Sequence, residues 1–214
     1  LIALSATRCM AGLPELDLRP VAKVPGALRA VRMLSGVADG IDLLTRTGNI
    51  VRLNQRPLRY SFEPVTIYAK GDAIAYENNE GSGTLLTREG RVLLEEEDGW
   101  AELVQVPGAV DLAVASGVVH VLTQKGKVFR VPGPGLVEPF YGPAKIQKWA
   151  GSEMGLLLVV DGSLYLVEAA GKARVLLSGS GDPVVDVCGR SEVAGLFSLA
   201  TALTASGSLH FKYD

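Results

Sequence analysis

The chain has 214 residues, a formal net charge of −2 and 48% hydrophobic residues. This composition excludes a disordered or collagen-like chain, and the 25 glycines and 11 prolines favour a globular fold with many turns. The near balance of charges provides no overall field that would attract nucleic acid or an anionic membrane, although it allows a local basic patch. Uninterrupted apolar runs are too short to span a bilayer.

The two cysteines, Cys9 and Cys188, and the first residue bear on cellular location and chain length. Two cysteines are too few for a disulfide scaffold, and their spacing is not that of a zinc site. We therefore expect an intracellular location, cytoplasmic or organellar. Because the sequence begins at Leu1 rather than Met, we also expect it to be part of a longer chain.

The strongest feature in chain order is an internal repeat with the core Leu-Thr-x-x-Gly, followed two residues after the glycine by an aliphatic residue. Each copy predicts a β-hairpin, because glycine adopts the positive φ of a tight turn without steric cost. A degenerate first copy is Leu4–Arg8, with Arg8 in the glycine position. Five further copies align without gaps, with Val159 replacing threonine in the fourth of these; they are Leu44–Gly48, Leu86–Gly90, Leu122–Gly126, Leu158–Gly162 and Leu203–Gly207.

The turn residues of successive copies lie 36 to 45 residues apart, which suits one four-stranded blade per repeat. A proline precedes the first strand of most repeats; Pro64, for example, is predicted to precede a strand at Val65–Ala69. No window shows a sustained helical period. We predict an all-β fold, a β-propeller of about six (five to seven) four-stranded blades, forming one domain over residues 1–214. The predicted repeats are 1–23, 24–62, 63–105, 106–141, 142–180 and 181–214.

The last repeat ends directly after its hairpin, so its outermost strand is missing from the predicted pattern. Residues before Leu1, or an early segment such as Leu16–Ala22, would supply that strand in a closed ring. Closure of this kind removes exposed sheet edges.

The segment His120–Phe129, with Leu-Thr-Gln-Lys-Gly-Lys-Val-Phe at its centre, resembles the repeat of the regulator of chromosome condensation family. The resemblance implies a propeller that serves as a docking surface, and one member of that family is a small-GTPase exchange factor. A second, weaker resemblance is to tectonin repeats, seen in Trp100–Gly108 followed by Gly126–Arg130. That resemblance implies a carbohydrate-binding lectin.

Residues suited to catalysis do not form a recognisable constellation, so we predict no catalytic, cofactor-binding or metal-binding residues and no enzyme activity. The two histidines, His120 and His210, are interpreted as strand residues with satisfied side chains. The acidic run Glu95–Asp98 lacks the alternation of a hard-cation loop and is interpreted as a solvated turn.

Two groups of residues are candidates for a partner surface. A basic and aromatic cluster contains Arg56, Arg59 and Tyr60, and it would also suit an acidic protein or RNA. Aromatic side chains often anchor interfaces, and the exposed-prone examples are Trp100, Tyr141 and Trp149, although packing between blades would explain them equally well.

The predicted function is therefore a non-catalytic scaffold that binds other protein subunits. Two alternatives stay open at this point: a lectin of the tectonin type and a small-GTPase guanine-nucleotide exchange factor. Nucleic acid is the less favoured partner, because the chain is negative overall.

Overall fold

A computed structural model describes residues 24–35, 38–55, 62–79, 82–189, 191–193, 196–198 and 200–212. Every regular element in these residues is a β-strand. The chain divides into two compact units, Leu1–Ala73 and Ile74–Asp214. The degenerate first copy at Leu4–Arg8 and the proposed closing segment Leu16–Ala22 lie outside the described residues.

The described residues of the first unit form one antiparallel sheet, the first blade, with its strands in chain order. Its strands are β1 (Ala27–Ser35), β2 (Ala38–Thr45), β3 (Ile50–Gln55) and β4 (Phe62–Tyr68). Leu43, Val51 and Leu53 form its buried cluster. Asp42 is fully buried in β2, and Arg52 in β3 donates to both of its carboxylate oxygens, at 2.9 and 3.0 Å.

The boundary predicted at residue 62 lies later in the chain. The stretch predicted as the opening strand of the second repeat, Val65–Ala69, instead lies mainly in β4, the outer strand of the first blade, where Val65 is opposite Arg52. Pro64 is tolerated there because an outer strand uses only one of its edges, so the missing N–H need not break a ladder. A proline thus indicated a strand but not the start of a blade.

Three more four-stranded antiparallel sheets follow, each with its strands in chain order. The second blade consists of β5 (Ala73–Asn79), β6 (Ser82–Thr87), β7 (Arg91–Glu96) and β8 (Gly99–Gln105). The third consists of β9 (Ala109–Ala115), β10 (Val118–Thr123), β11 (Val128–Gly133) and β12 (Leu136–Tyr141). The fourth consists of β13 (Ile146–Ser152), β14 (Gly155–Val160), β15 (Ser163–Val167) and β16 (Ala173–Leu177).

The fifth blade has three strands among the described residues, β17 (Val184–Cys188), β20 (Ala200–Thr204) and β21 (Leu209–Lys212). A separate small hairpin, β18 (Ser191–Val193) and β19 (Leu196–Ser198), is inserted between its first two strands.

The threonine of the repeat closes the hairpin turn. In the first blade the Thr45 hydroxyl donates to the carbonyl of Asn49 at 3.1 Å and accepts from the Asn49 N–H at 3.0 Å. In the third blade the Thr123 hydroxyl donates to the carbonyl of Lys127 at 3.0 Å. The N–H of Gly126 donates to the carbonyl of Thr123 at 2.9 Å, so side chain and main chain close the same turn. The Leu-Thr-x-x-Gly core is thus a turn motif.

The fourth hairpin uses a different turn, which explains why its threonine is missing. Val160 lies opposite Ser163, so only two residues form the turn, Asp161 with φ 49° and Gly162 with φ 73°. Two consecutive residues with positive φ are typical of a type I′ turn, whose twist matches that of the strands. This turn closes on Ser163, three residues after Val160, whereas the threonine hydroxyls of the other turns bond to the residue four positions on.

This shorter turn corrects the gapless alignment of the repeats. Val159, rather than Leu158, lies opposite Leu164 and takes the place that the repeat leucine has in the other copies. Val160 therefore takes the place of the threonine. The alignment needs a one-residue deletion in the fourth copy, because a type I′ turn is one residue shorter than the threonine turn.

Successive blades of the second unit pack face to face, with their first strands β9, β13 and β17 in contact. The faces are lined by fully buried aliphatic side chains, as expected for sheets covered on both sides. The residues that pack between the second and third blades include Leu86, Val92, Leu112 and Val121. Those between the third and fourth include Ala113, Val128, Leu156 and Leu158. Those between the fourth and fifth include Leu157, Leu164, Val184 and Ala202.

Candidate interaction surface

The hairpin turns and the linkers between blades meet at one end of the second unit, which we call the hairpin end. This follows from the strand order, because the second hairpin turn of each blade and the linker to the next blade lie at the same edge of their sheets. The carbonyl of the turn glycine accepts a hydrogen bond from the next linker in three consecutive junctions. The bonds are Val106 N–H to Gly90 at 2.8 Å, Ala144 N–H to Gly126 at 3.0 Å and Val184 N–H to Gly162 at 2.7 Å.

A groove of the hairpin end lies between the third and fourth blades, and we call it the lysine groove. One wall is the hairpin turn Leu122–Gly126, the other is the linker Pro143–Ile146, and Val110 of β9 completes the lining. The groove has a volume of about 590 Å³. Its lining combines apolar side chains with two exposed lysines, Lys125 and Lys145, and contains no carboxylate.

A corresponding groove lies one junction further on, between the fourth and fifth blades. Its volume is about 430 Å³, and its lining contains both Lys148 and Asp161. Its lining also includes Val185 of β17, 43% exposed, whereas the position that corresponds to Val110 is held by Gln147. Both grooves therefore contain an exposed valine, but of the two only the lysine groove has an unbalanced positive charge.

The walls of the lysine groove rest on tightly packed backbone. A Cβ placed on Gly126 would lie 2.1 Å from the carbonyl oxygen of Ala144, so the turn and the linker touch at main-chain distance. The Gln124 N–H also donates to the carbonyl of Gly108 at 2.9 Å, which ties the same turn to the linker before it. These contacts hold Lys125 and Lys145 on a rigid frame.

A hydrogen bond between two side chains joins the first strands of the third and fourth blades. The indole N–H of Trp149 donates to the Asp111 carboxylate at 2.7 Å. Trp149 also packs against the buried cluster between these blades, and it is half-buried. The bond joins the two first strands that support the groove.

His120 is buried on the same interface, 4% exposed, with its ring edge-to-face against Phe140 at a centroid distance of 4.7 Å. Burial lowers the pKa of His120 to about 4, and the positive charge of Arg130 acts in the same direction against the hydrogen bond to Val118. The imidazole is therefore neutral at neutral pH, and its Nδ1–H donates to the Val118 carbonyl at 3.0 Å. It is a core residue.

The predicted partner residues lie in different places. Arg56, Arg59 and Tyr60 fall outside the described residues. Tyr141 ends β12 and, like Trp149, is half-buried in the cluster between the third and fourth blades. Trp100 lies in β8, half-buried, with its ring 6.4 Å from that of Tyr76. Their role at a partner surface stays a prediction.

Sequence reasoning did not single out the lysine groove. Its signal is nevertheless present in the aligned repeats: the third turn contains Lys125 and Lys127, and the linker after it contains Lys145. In the next turn, by contrast, Asp161 takes the place of Lys125 and Ser163 that of Lys127. Comparing charges between equivalent turns would have found the groove.

Within the described ranges, no three histidine, cysteine or carboxylate side chains come together as a possible metal site. The same residues include no helix with the length and apolarity needed to cross a membrane. The acidic run covers the end of β7 and the turn to β8. Glu96 to Asp98 are exposed, and the Glu95 carboxylate accepts from the Gly83 N–H at 3.1 Å.

No protein-family model matches the chain, and no curated protein matches it. Several solved structures are similar at low sequence identity. BBS1N, crystallised in complex with ARL6DN and soaked with mercury, is 16% identical, with a TM-score of 0.65 over 87% of this chain and 65% of that one. YCF48 from Cyanidioschyzon merolae is 15% identical, with a TM-score of 0.56 over 92% of this chain and 71% of that one.

BamB from Moraxella catarrhalis is 10% identical, with a TM-score of 0.54 over 88% of this chain and 59% of that one. The chain thus spans less than two thirds of the BBS1N and BamB chains. These likenesses, together with the successive antiparallel sheets, confirm the predicted all-β propeller fold, with five blades among the described residues. Membership of the regulator of chromosome condensation family stays a prediction.

Proposed function

We propose that this chain is a β-propeller scaffold, without catalytic activity, that binds other proteins as a subunit or domain of a larger assembly. The observation that supports this most directly is the hairpin end, where exposed apolar and charged side chains stand on a backbone frame held by repeated hydrogen bonds. A surface whose backbone is fixed before binding loses little conformational entropy when a partner docks.

Two further observations support the scaffold. Within the described residues no cluster of metal-ligating side chains occurs, and the buried His120 faces the blade interface. Among similar structures, BBS1N was crystallised in complex with another protein, ARL6DN, so a propeller of this kind can dock a protein. The lectin and exchange-factor hypotheses have no specific support from the described residues.

The test is purification of the tagged full-length protein from its native cells, followed by chemical cross-linking and mass spectrometry. We expect at least one subunit to co-purify in a fixed ratio and to cross-link to residues of this chain. A monomer without such a subunit that is retained on a glycan array would contradict the scaffold and favour the lectin. We also propose an intracellular location, which imaging of the same tagged protein would check.

A further inference from the structure

The lysine groove differs in charge from the junctions on both sides of it. In the second blade the turn contains Arg88 and Glu89, and the guanidinium of Arg91, at the start of β7, lies 3.1 Å from the Glu89 carboxylate. In the groove between the fourth and fifth blades, Lys148 accompanies Asp161, and its ammonium lies 3.9 Å from Asp186. At each of these junctions a carboxylate thus offsets part of the positive charge.

The lysines of the third junction have no such partners. Across the described residues, no carboxylate lies within ion-pair distance of Lys125, Lys127 or Lys145. All three side chains are exposed, and two of them line the groove. A local positive potential therefore exists on a chain whose net charge is −2.

The floor between these lysines is apolar. Val110 is 37% exposed, Leu122 and Ile146 are half-exposed, and Pro143 with Ala144 forms the far wall. An apolar side chain of a partner that docks there would remove this surface from water, which favours binding. The groove thus offers an apolar anchor point flanked by two positive charges.

We propose that the lysine groove binds an extended acidic segment of a partner protein, with one apolar side chain of that segment inserted between Lys125 and Lys145. This inference rests on the scaffold function proposed above and names the chemistry of its partner. Charge complementarity favours carboxylates, and the apolar floor favours an aliphatic or aromatic anchor.

A protein segment fits these features better than nucleic acid. The residues that line the groove include no aromatic side chain on which a base could stack. They also include only two cations, whereas nucleic-acid binding draws on many phosphate contacts. A single-stranded RNA therefore serves as the competing probe in the test.

The experiment uses the purified full-length protein and a fluorescent peptide of about ten residues, rich in glutamate around two leucines. Fluorescence anisotropy measures its Kd for the parent protein and for K125E/K145E. We expect the double variant to bind this peptide at least about tenfold more weakly, because both attractive charges become repulsive. The variant should instead bind the same peptide with lysines in place of glutamates, a gain that an unfolded protein would not show.

Two controls test the location and the anchor. K172E reverses an exposed charge in the turn between β15 and β16, away from the hairpin end, and should leave the Kd unchanged. V110S, or serine in place of the peptide leucines, should weaken binding. Absence of binding by the parent protein, an equal loss in K172E, or stronger binding of a uridine-rich RNA would overturn the proposal.

The outcome also separates this proposal from the scaffold function. A subunit that still co-purifies with K125E/K145E, with no acidic peptide bound by the parent, would overturn the groove and leave the scaffold in place. Absence of any co-purifying subunit from the parent protein would instead overturn the scaffold itself.

Discussion

At the scale of single residues, His120 makes the stability of the protein depend on pH. Its pKa is lowered to about 4 by burial, whereas an unfolded chain holds a histidine near its usual 6.5. Above pH 6.5 both states are neutral and the contribution is complete. Below pH 6.5 the histidine is protonated in the unfolded state but stays neutral in the folded state. The free energy of unfolding therefore falls until about pH 4 and then levels off.

We expect the parent protein to lose about 3 kcal/mol of unfolding free energy between pH 6.5 and pH 4 through this residue. H120Q removes the titrating group, so its unfolding free energy, measured by urea denaturation across this range, should fall less steeply. H210Q, at the exposed second histidine, is the control. An equal change of slope in both variants would contradict the assignment to His120.

At the scale of elements, the hairpin glycine serves both the turn and the contact with the linker. Gly126 has φ 69°, and a Cβ there would lie 2.1 Å from the Ala144 carbonyl oxygen. Gly135, in the turn between β11 and β12, has nearly the same φ, 71°, with no atom within 4 Å of its would-be Cβ. An alanine would be strained by the positive φ at both positions, but only at Gly126 would its Cβ also clash with the backbone.

We expect G135A to cost about 1 kcal/mol of unfolding free energy, the strain of a positive φ alone. G126A should cost about 3 kcal/mol or more, because the linker must also move. Chemical denaturation of both variants measures the difference. Equal losses would show that the turn and linker are not in close contact.

The same elements show what the sequence can and cannot predict. The repeated Leu-Thr-x-x-Gly core identified the hairpins because the threonine and glycine are needed locally, within one turn. The register of the fourth hairpin could not be read from it, since a type I′ turn at Asp161 and Gly162 keeps the glycine while shortening the loop. Likewise the lysine groove joins a turn and a linker from neighbouring blades, so it depends on packing that local patterns do not specify.

The predicted boundary of the first blade differs from the observed one for a related reason. Strand propensity correctly indicated a strand after Pro64, but the edge to which a strand pairs is a tertiary property. A proline suits the first residue of a strand and an outer strand equally. Only the pairing of Val65 with Arg52 decides between them.

At the scale of the whole molecule, the described blades of the second unit share their cores rather than each having its own. Leu157 and Leu164 of the fourth blade are buried against Val184 and Ala202 of the fifth. A blade in this arrangement covers one face of each neighbour, so its loss exposes apolar surface on both sides. Neighbouring blades should therefore unfold together.

We test this coupling with L157A, which removes a fully buried side chain between the fourth and fifth blades. The variant should lose about 2 to 5 kcal/mol of unfolding free energy. V175A, at a position 54% exposed on β16, is the control and should lose little. Hydrogen exchange in L157A should show weaker protection at the amides of β20 as well as those of β14, because both strands face the new cavity. Loss of protection confined to β14 would mean that the blades open independently, and the hairpin end would then owe its rigidity to the turn and linker hydrogen bonds alone.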